Sequence, residues 1–423
     1  MFHQLSRIIN FTSELQDLPN SFCFNPSIAH WKNNLYFVCY RSFIRDPRIT
    51  YISKAKYNRD KYNHPWHGWD LKEFDYGYDK TGFCIMEILD NKIKLIKSLH
   101  DGNSIKYFDK DNNKFILSED THIIGQDTRV IKISGDTFML SYNNNFYDKR
   151  INIKNGNNCQ GGCTLIATRI VKLSDDGKLY MYDENVLCPE ISEQTEKNWS
   201  FFKYKDKILF SYGLTSKHLI YSVFKMNEEI KCGSLDLQDK NEYYGNYEKH
   251  INSQFKGLLR VSVSTPAIKS FEYPDRFIGV GHMKFKFANL EKTDCEELKD
   301  FYINVKRMIK KLHSTYVYLM VIYEFNAING EITRISNMFI PESTEYLLVF
   351  PSGLIQIADE LWIFYGDHDS SCNIMTIKNK YVSKLLKEVP ENKDALNCEQ
   401  VKYFVFPQKC YRKSDICLLL QDL

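Results

Sequence analysis

The stretch Asn34–Tyr40, NLYFVCY, followed at once by Arg41, decides the fold. Its side chains are aromatic, β-branched or otherwise apolar, a Lys-Asn-Asn turn leads into it, and it ends in Tyr. A short apolar run bounded by turn residues reads as a buried strand. The pattern recurs at Thr137–Tyr142 (TFMLSY), Ile208–Tyr212 (ILFSY), Arg276–Gly281 (RFIGVG) and Glu360–Tyr365 (ELWIFY), each closing on Tyr or Gly. Repeated strands with matching ends predict an all-β chain, built as a five-bladed β-propeller whose sheets converge on a central channel. The intervals exceed the roughly 40–50 residues of common propeller repeats, so long loops must decorate one face. The whole span 1–423 reads as a single propeller domain.

One stretch departs from the β pattern. From Leu298, the apolar residues Phe301, Tyr302, Val305, Met308, Ile309 and Leu312 recur at three-and-four spacing. Glu296 and Glu297 stand near its start, and Lys306, Arg307, Lys310 and Lys311 fall toward its end, as a helix dipole favours. This predicts one inserted amphipathic helix within 291–314, packed on the rim. Residues 380–423 read as a C-terminal extension on the propeller, with a short helix over Val382–Lys387 and a closing strand.

Composition narrows the function classes. Lys and Arg number 56 against 53 Asp and Glu, which leaves no electrostatic footprint for nucleic acid or an anionic membrane surface. No run approaches the roughly 20 apolar residues of a membrane span, and the N-terminal residues lack the apolar core of a secretory signal. The 12 cysteines show no zinc spacing and read as free thiols in a reducing compartment. The expected location is the cytoplasm. No cofactor is expected, and no metal: Asp367, His368 and Asp369 alternate in direction along a strand, so they cannot all face one ion.

Chemistry-bearing residues gather where the aromatic strands begin and end. Asn25-Pro26 precedes the first, which closes at Tyr40-Arg41; Gln126-Asp127-Thr128-Arg129 precedes the second; Lys197-Asn198-Trp199 precedes the third. Ser264-Thr265-Pro266 precedes the fourth, which closes at Gly281-His282, and Phe350-Pro351-Ser352-Gly353 precedes the fifth, which closes at Tyr365-Gly366-Asp367-His368-Asp369. In a propeller these junctions meet at the axis. A carboxylate to move a proton, cations to hold phosphate and amides to grip hydroxyls suit an inverting displacement at an anomeric carbon. The loop His64–Trp69 (HPWHGW) is a further candidate sugar platform.

Taken together, the junctions resemble those of glycoside hydrolase family 130, the β-mannoside phosphorylases and hydrolases, and of the related β-1,2-mannosyltransferases of glycosyltransferase family 108. Asn25-Pro26, Tyr40-Arg41, Phe350–Gly353 and Tyr365–Asp369 match the family pattern. Gln126 and Thr128 depart from its Glu-Asp-Pro-Arg. The resemblance implies a five-bladed fold with Asp127 as the catalytic acid/base. Arg129, His282 and Lys197 would bind the phosphate of the donor, and Asn25, Arg41, Asp369 and Trp199 would bind sugar. Losing a Glu beside Asp127 should lower its pKa, and losing Pro should loosen its backbone. Arg129 is expected at the mouth of the axis, where it would contribute little to packing. The leading expectation is inverting transfer of a β-mannosyl-type residue from a phosphate-bearing donor, a nucleotide sugar or a sugar 1-phosphate, to a glycan acceptor. The alternatives are a β-mannoside phosphorylase or hydrolase, and a glycan-binding propeller without activity.

Overall fold

Each of the five aromatic stretches is the second strand of an antiparallel hairpin. The structure is a computed structural model. It describes residues 6–15, 21–45, 77–99, 104–109, 113–117, 125–146, 152–153, 157–158, 163–187, 197–211, 219–225, 236–240, 259–286, 316–328, 330–336, 339, 341, 348–367 and 371–388.

The chain is mainly β, with its sheets arranged as in a propeller. Among the described residues, five sheets have four or more strands. Sheet I runs Ser21–Lys32, Leu35–Arg45, Gly77–Leu89 and Lys92–Ser98. Sheet II runs Gln126–Ser134, Thr137–Phe146, Cys163–Leu173 and Leu179–Leu187. To its outer edge an upstream hairpin, Ile105–Asp109 and Lys114–Leu117, adds in parallel. Sheet III comprises Ser200–Tyr204, Lys207–Ser211, Leu219–Lys225 and Asp236–Lys240. Sheet IV begins with Leu259–Val263 and Ile268–Lys269, both paired to Arg276–Lys286, and continues through Tyr316–Asn326 and Ile332–Ile335. Sheet V holds Val349–Ile357, Glu360–Asp367 and Ser371–Lys378.

Packing between sheets explains the unbroken apolar runs. Phe37 and Cys39 face sheet II, where they join Val130, Phe138 and Leu140, while Val38 and Tyr40 face sheet V and join Trp362, Phe364 and Ile374. A strand buried on both faces needs no polar alternation. Ile131, Ile133 and Met139 of sheet II pack on Trp199, Phe201, Ile208 and Phe210 of sheet III. Phe202 of sheet III meets Phe277 of sheet IV at 4.9 Å between ring centroids, and His282 of sheet IV meets Phe350 of sheet V at 5.0 Å. The first strands of sheets I, II and V lie against one another.

Both ends of the described chain are tied into the sheets. Ser6–Asn10 supplies the outer strand of sheet V beside Ser371–Lys378, and Phe11 and Leu15 of the short helix that follows enter the core between sheets I and V. Helix Asn379–Leu385 buries Val382, close to where the sequence predicts it, and Lys387–Glu388 then pairs with sheet IV. The expected helix within 291–314 and the extension beyond 388 lie outside the described residues. No helix among the described residues is long and apolar enough to cross a membrane. Among the described residues, Cys23, Cys39, Cys84 and Cys372 are buried thiols outside any disulfide.

Sheet IV carries a charged network that the sequence did not announce. The Glu324 carboxylate accepts from Arg334 Nη2 at 2.7 Å, Arg334 Nε at 2.8 Å, Arg276 Nη1 at 3.0 Å and Ser270 Oγ at 2.8 Å. Burial raises its pKa, but the bonds from Arg334, Ser270 and Arg276 outweigh burial and hold it below the ordinary value. Glu324→Gln should therefore cost about 2 kcal/mol at neutral pH, since hydrogen bonds to charged groups contribute roughly 1.5–3 kcal/mol each. A depressed folded-state pKa gives stability that is present above the unfolded value and lost as pH falls through the folded one. The gap between wild type and variant should thus close on acidification below about pH 4; melts across a pH series would show it.

Candidate functional site

The candidate site grows from a repeated irregularity in the first strands. Phe24 pairs with Arg41 and Ser27 with Cys39, so Asn25 and Pro26 together oppose Tyr40. Gln126 pairs with Asn143 and Arg129 with Ser141, so Asp127 and Thr128 together oppose Tyr142. In sheet V the slip falls between Pro351 and Gly353, beside Tyr365. Two residues against one is a β-bulge, which bends a strand and re-aims a side chain. Asn25 and Asp127 take the left-handed backbone, at φ 51° and 55°, and so does Asn198 of the third junction at φ 63°. Asn and Asp are the side-chain-bearing types that accept this conformation most readily. The Tyr that closes each of these strands marks the bulge.

These bulges bring Asn25, Arg41, Asp127 and Asn143 together. Asp127 Oδ1 accepts from Asn25 Nδ2 at 2.7 Å and from Arg41 Nη1 at 3.3 Å, and Oδ2 accepts from Asn143 Nδ2 at 3.4 Å. Burial raises the pKa of this carboxyl, but Arg41, Arg129, the Asn25 amide and Lys197 together hold it below the ordinary range. Asp127 is ionised at neutral pH and stands as a base.

Arg129 is not at a mouth. It is 2% exposed, and its guanidinium donates to the Ser264 carbonyl from Nε, to the Asp127 carbonyl at 3.0 Å from Nη1 and to Asn198 Oδ1 at 3.5 Å from Nη2. It ties the second, third and fourth junctions, so the expectation of little contribution to packing is overturned. Burial lowers its pKa to about 10 against the opposing pull of Asp127, leaving it charged.

His282 is buried, its Nδ1 2.5 Å from Ser264 Oγ and its ring stacked on Tyr318. Burial first, then the charges of Arg129, Lys197 and Lys284, push its pKa down to about 3. It faces the site as a neutral ring rather than a cation. Lys197 is exposed, and its charge acts on both Asp127 and His282.

Trp199 departs from expectation. It is 1% exposed and stacked on Phe210 at 4.6 Å, with the rings 5° from parallel. A ring enclosed in the core between sheets II and III has no face for sugar. Asp369 and the His64–Trp69 loop lie outside the described residues.

Sequence reasoning missed Asn143 and Lys284, and it named Ser264 only as part of the fourth junction, without a role. Asn143 carries a legible signal: it follows Tyr142 as Arg41 follows Tyr40 and Gly366 follows Tyr365. Gly366 fits the same rule by lacking a side chain. A Cβ there would lie 2.0 Å from Asn25 Oδ1 and 2.9 Å from the Asn25 backbone nitrogen. Gly366→Ala should therefore push Asn25 off Asp127. Overpacking of this kind costs about 1–3 kcal/mol, and turnover should fall at least about tenfold; kcat together with a melt of the variant would check both.

No protein-family model and no curated protein sequence matches the chain. In structure it is similar to a mannose phosphorylase of Leishmania mexicana in complex with phosphate, at 10% identity over 89% of each chain and a TM-score of 0.43. A β-1,2-mannobiose phosphorylase of Listeria innocua is 16% identical over 91% of this chain and 94% of its own, with a TM-score of 0.38. A glycosyl hydrolase of Bacteroides ovatus is 11% identical over 85% of each chain, with a TM-score of 0.46.

Proposed function

We propose that this chain transfers a β-mannosyl-type residue with inversion between phosphate and a sugar hydroxyl, as a β-mannoside phosphorylase. We read the five sheets as five blades and the site around Asp127 as their shared axial pocket. One observation carries the reading: among the described residues, the Asp127 carboxylate is held by two amides and Arg41, with Arg129 and Lys197 close enough to lower its pKa. An inverting hydrolase sets two carboxyl groups roughly 6.5–9.5 Å apart with a water between them. Here the neighbours that act on the carboxylate are cations and amides, the complement of a phosphate and of sugar hydroxyls.

In the direction of synthesis, Asp127 takes the proton of an acceptor hydroxyl. The hydroxyl oxygen bonds to the anomeric carbon from the face opposite the phosphate, and the bond from that carbon to the phosphate oxygen breaks. Phosphate departs with the electron pair, toward Lys197 and the remaining N–H groups of Arg129, with neutral His282 as a hydrogen-bonding neighbour. The departing phosphate then collects that proton and restores the ionised carboxylate; in the reverse direction hydrogen phosphate gives up the proton to Asp127 as it attacks, and Asp127 passes it to the leaving hydroxyl oxygen. A nucleotide sugar would serve the same displacement as an alternative donor.

The test supplies mannose 1-phosphate with mannose and follows phosphate release, then supplies a β-mannobiose with phosphate and follows the reverse. GDP-mannose and phosphate-free buffer form the control arms. Release from mannose 1-phosphate together with phosphate-dependent cleavage supports the phosphorylase. Consumption of GDP-mannose alone selects the transferase, and cleavage of a mannoside without phosphate selects the hydrolase.

A further inference from the structure

The backbone that presents Asp127 is held by Arg129 of its own sheet, which donates to the Asp127 carbonyl at 3.0 Å, and also by side chains of sheet I. At the bulge, Asp127 and Thr128 break the register between Gln126 and Arg129, and Asp127 sits at φ 55°. A residue other than Gly in this region carries a strain of about 1–3 kcal/mol and persists only where its surroundings over-determine it. Four groups of sheet I fix it here. Thr81 Oγ1 lies 2.6 Å from Thr128 Oγ1, and both threonines are buried, at 2% and 0% exposure. The Cys39 thiol donates to the Thr128 carbonyl at 3.5 Å, Ser27 Oγ accepts from the Val130 N–H at 3.2 Å, and Asn25 donates to the carboxylate itself. Thr81 also stands directly across the ladder from Arg41, which donates to Asp127.

We infer that Thr81 is a positioning residue for Asp127, acting through the Thr128 hydroxyl. The sequence places Thr at 128 where a proline would fix φ covalently. A buried hydroxyl pair fixes the same peptide non-covalently, and neither hydroxyl has another described partner. A hydroxyl buried without its partner costs about 1–3 kcal/mol. Losing either oxygen therefore favours rotation of the 127–128 peptide out of the left-handed region and moves the carboxylate away from Asn25. The inference rests on Asp127 being the working carboxylate, but its structural half does not.

Thr81→Val removes the hydroxyl and keeps the shape. With mannose 1-phosphate and mannose, we expect kcat to fall about tenfold or more while the KM for mannose 1-phosphate changes less than about twofold. Thr81→Ser, which keeps the oxygen, should restore most of the rate. Thr128→Val should give a similar loss, and the double variant no more than either single one, because both remove one bond. A crystal structure of Thr81→Val should show the 2.7 Å contact between Asn25 and Asp127 broken. An unchanged kcat in both single variants with Asp127 in place, a loss that Ser does not rescue, or additive losses would each overturn the inference. If Asp127→Asn keeps full activity while Thr81→Val displaces Asp127, the positioning stands and the proposed reaction falls.

Discussion

Asp127→Asn should reduce kcat by about 10²–10⁴, the contribution of a positioned acid or base, while the KM for a phosphorylated sugar stays within about threefold. The substitution keeps size and shape but leaves one oxygen where the carboxylate has two, so only one of the Asn25 and Asn143 amides keeps its acceptor. It removes the basic oxygen that receives the acceptor proton. The same carboxylate should make the protein more stable at neutral pH than the variant is. Burial alone would disfavour its charge, but Arg41, Arg129, Asn25 and Lys197 outweigh burial and lower the folded-state pKa. A lowered pKa contributes stability above the unfolded value, near pH 4, that is lost as pH falls through the folded one. Melts of the two proteins should thus differ at pH 7 and converge in acid. Activity limited by Asp127 should persist down to the ordinary carboxylate range and fall only below it. A variant that keeps its rate within threefold would take the acid/base role from Asp127, whereas a wild type without turnover whose glycan affinity survives the substitution would leave a binding propeller as the better reading.

The strand pattern was legible because the second strands are buried on both faces. Leu35–Arg45 packs against sheets II and V, and Glu360–Asp367 buries Trp362 and Phe364 on one face and Leu361 and Ile363 on the other, so their residues form unbroken apolar runs that stand out from polar loops. Site positions were legible for a related reason: a bulge needs residues that accept a left-handed backbone, and Asn25 and Asp127 stand at strand starts opposite a closing Tyr. Depth was not legible. Arg129 and Trp199 sit at junctions like the others, yet three carbonyl oxygens bury the first and Phe210 buries the second. Partners distant in sequence were also hidden. Nothing local to Thr81 announces Thr128, nothing in Ser6–Asn10 announces Ser371–Lys378, and nothing in the hairpin over Ile105–Leu117 announces that it joins a sheet formed downstream. These pairings follow from how the sheets close on one another, which periodicity within a segment does not encode.

Arg129→Lys should damage fold and activity together, whereas Lys197→Ala should damage activity alone. The Arg129 fork reaches carbonyls on the second and fourth junctions and an amide on the third, from a site that is 2% exposed. Lysine carries the charge but offers a compact ammonium on a flexible stem, which cannot reproduce a planar fork. The Ser264 and Asp127 carbonyls would lose their donor, and the charge facing Asp127 would shift. Disrupting one partner of a buried charged arrangement costs about 3–5 kcal/mol. Against the 5–15 kcal/mol that stabilises a typical domain, that loss should lower the melting temperature clearly and reduce the yield of folded protein. Lys197 is exposed and its charge acts on Asp127 and His282, so on the proposed reaction its removal should leave the melt within a degree or two and raise the KM for mannose 1-phosphate about tenfold, or 1.4 kcal/mol. It should also relieve His282 of one of the charges that lower its pKa, moving the histidine's titration upward in an NMR series. If Arg129→Lys melts like the wild type while Lys197→Ala unfolds, the two arms are reversed, and the phosphate site belongs on the buried arginine alone.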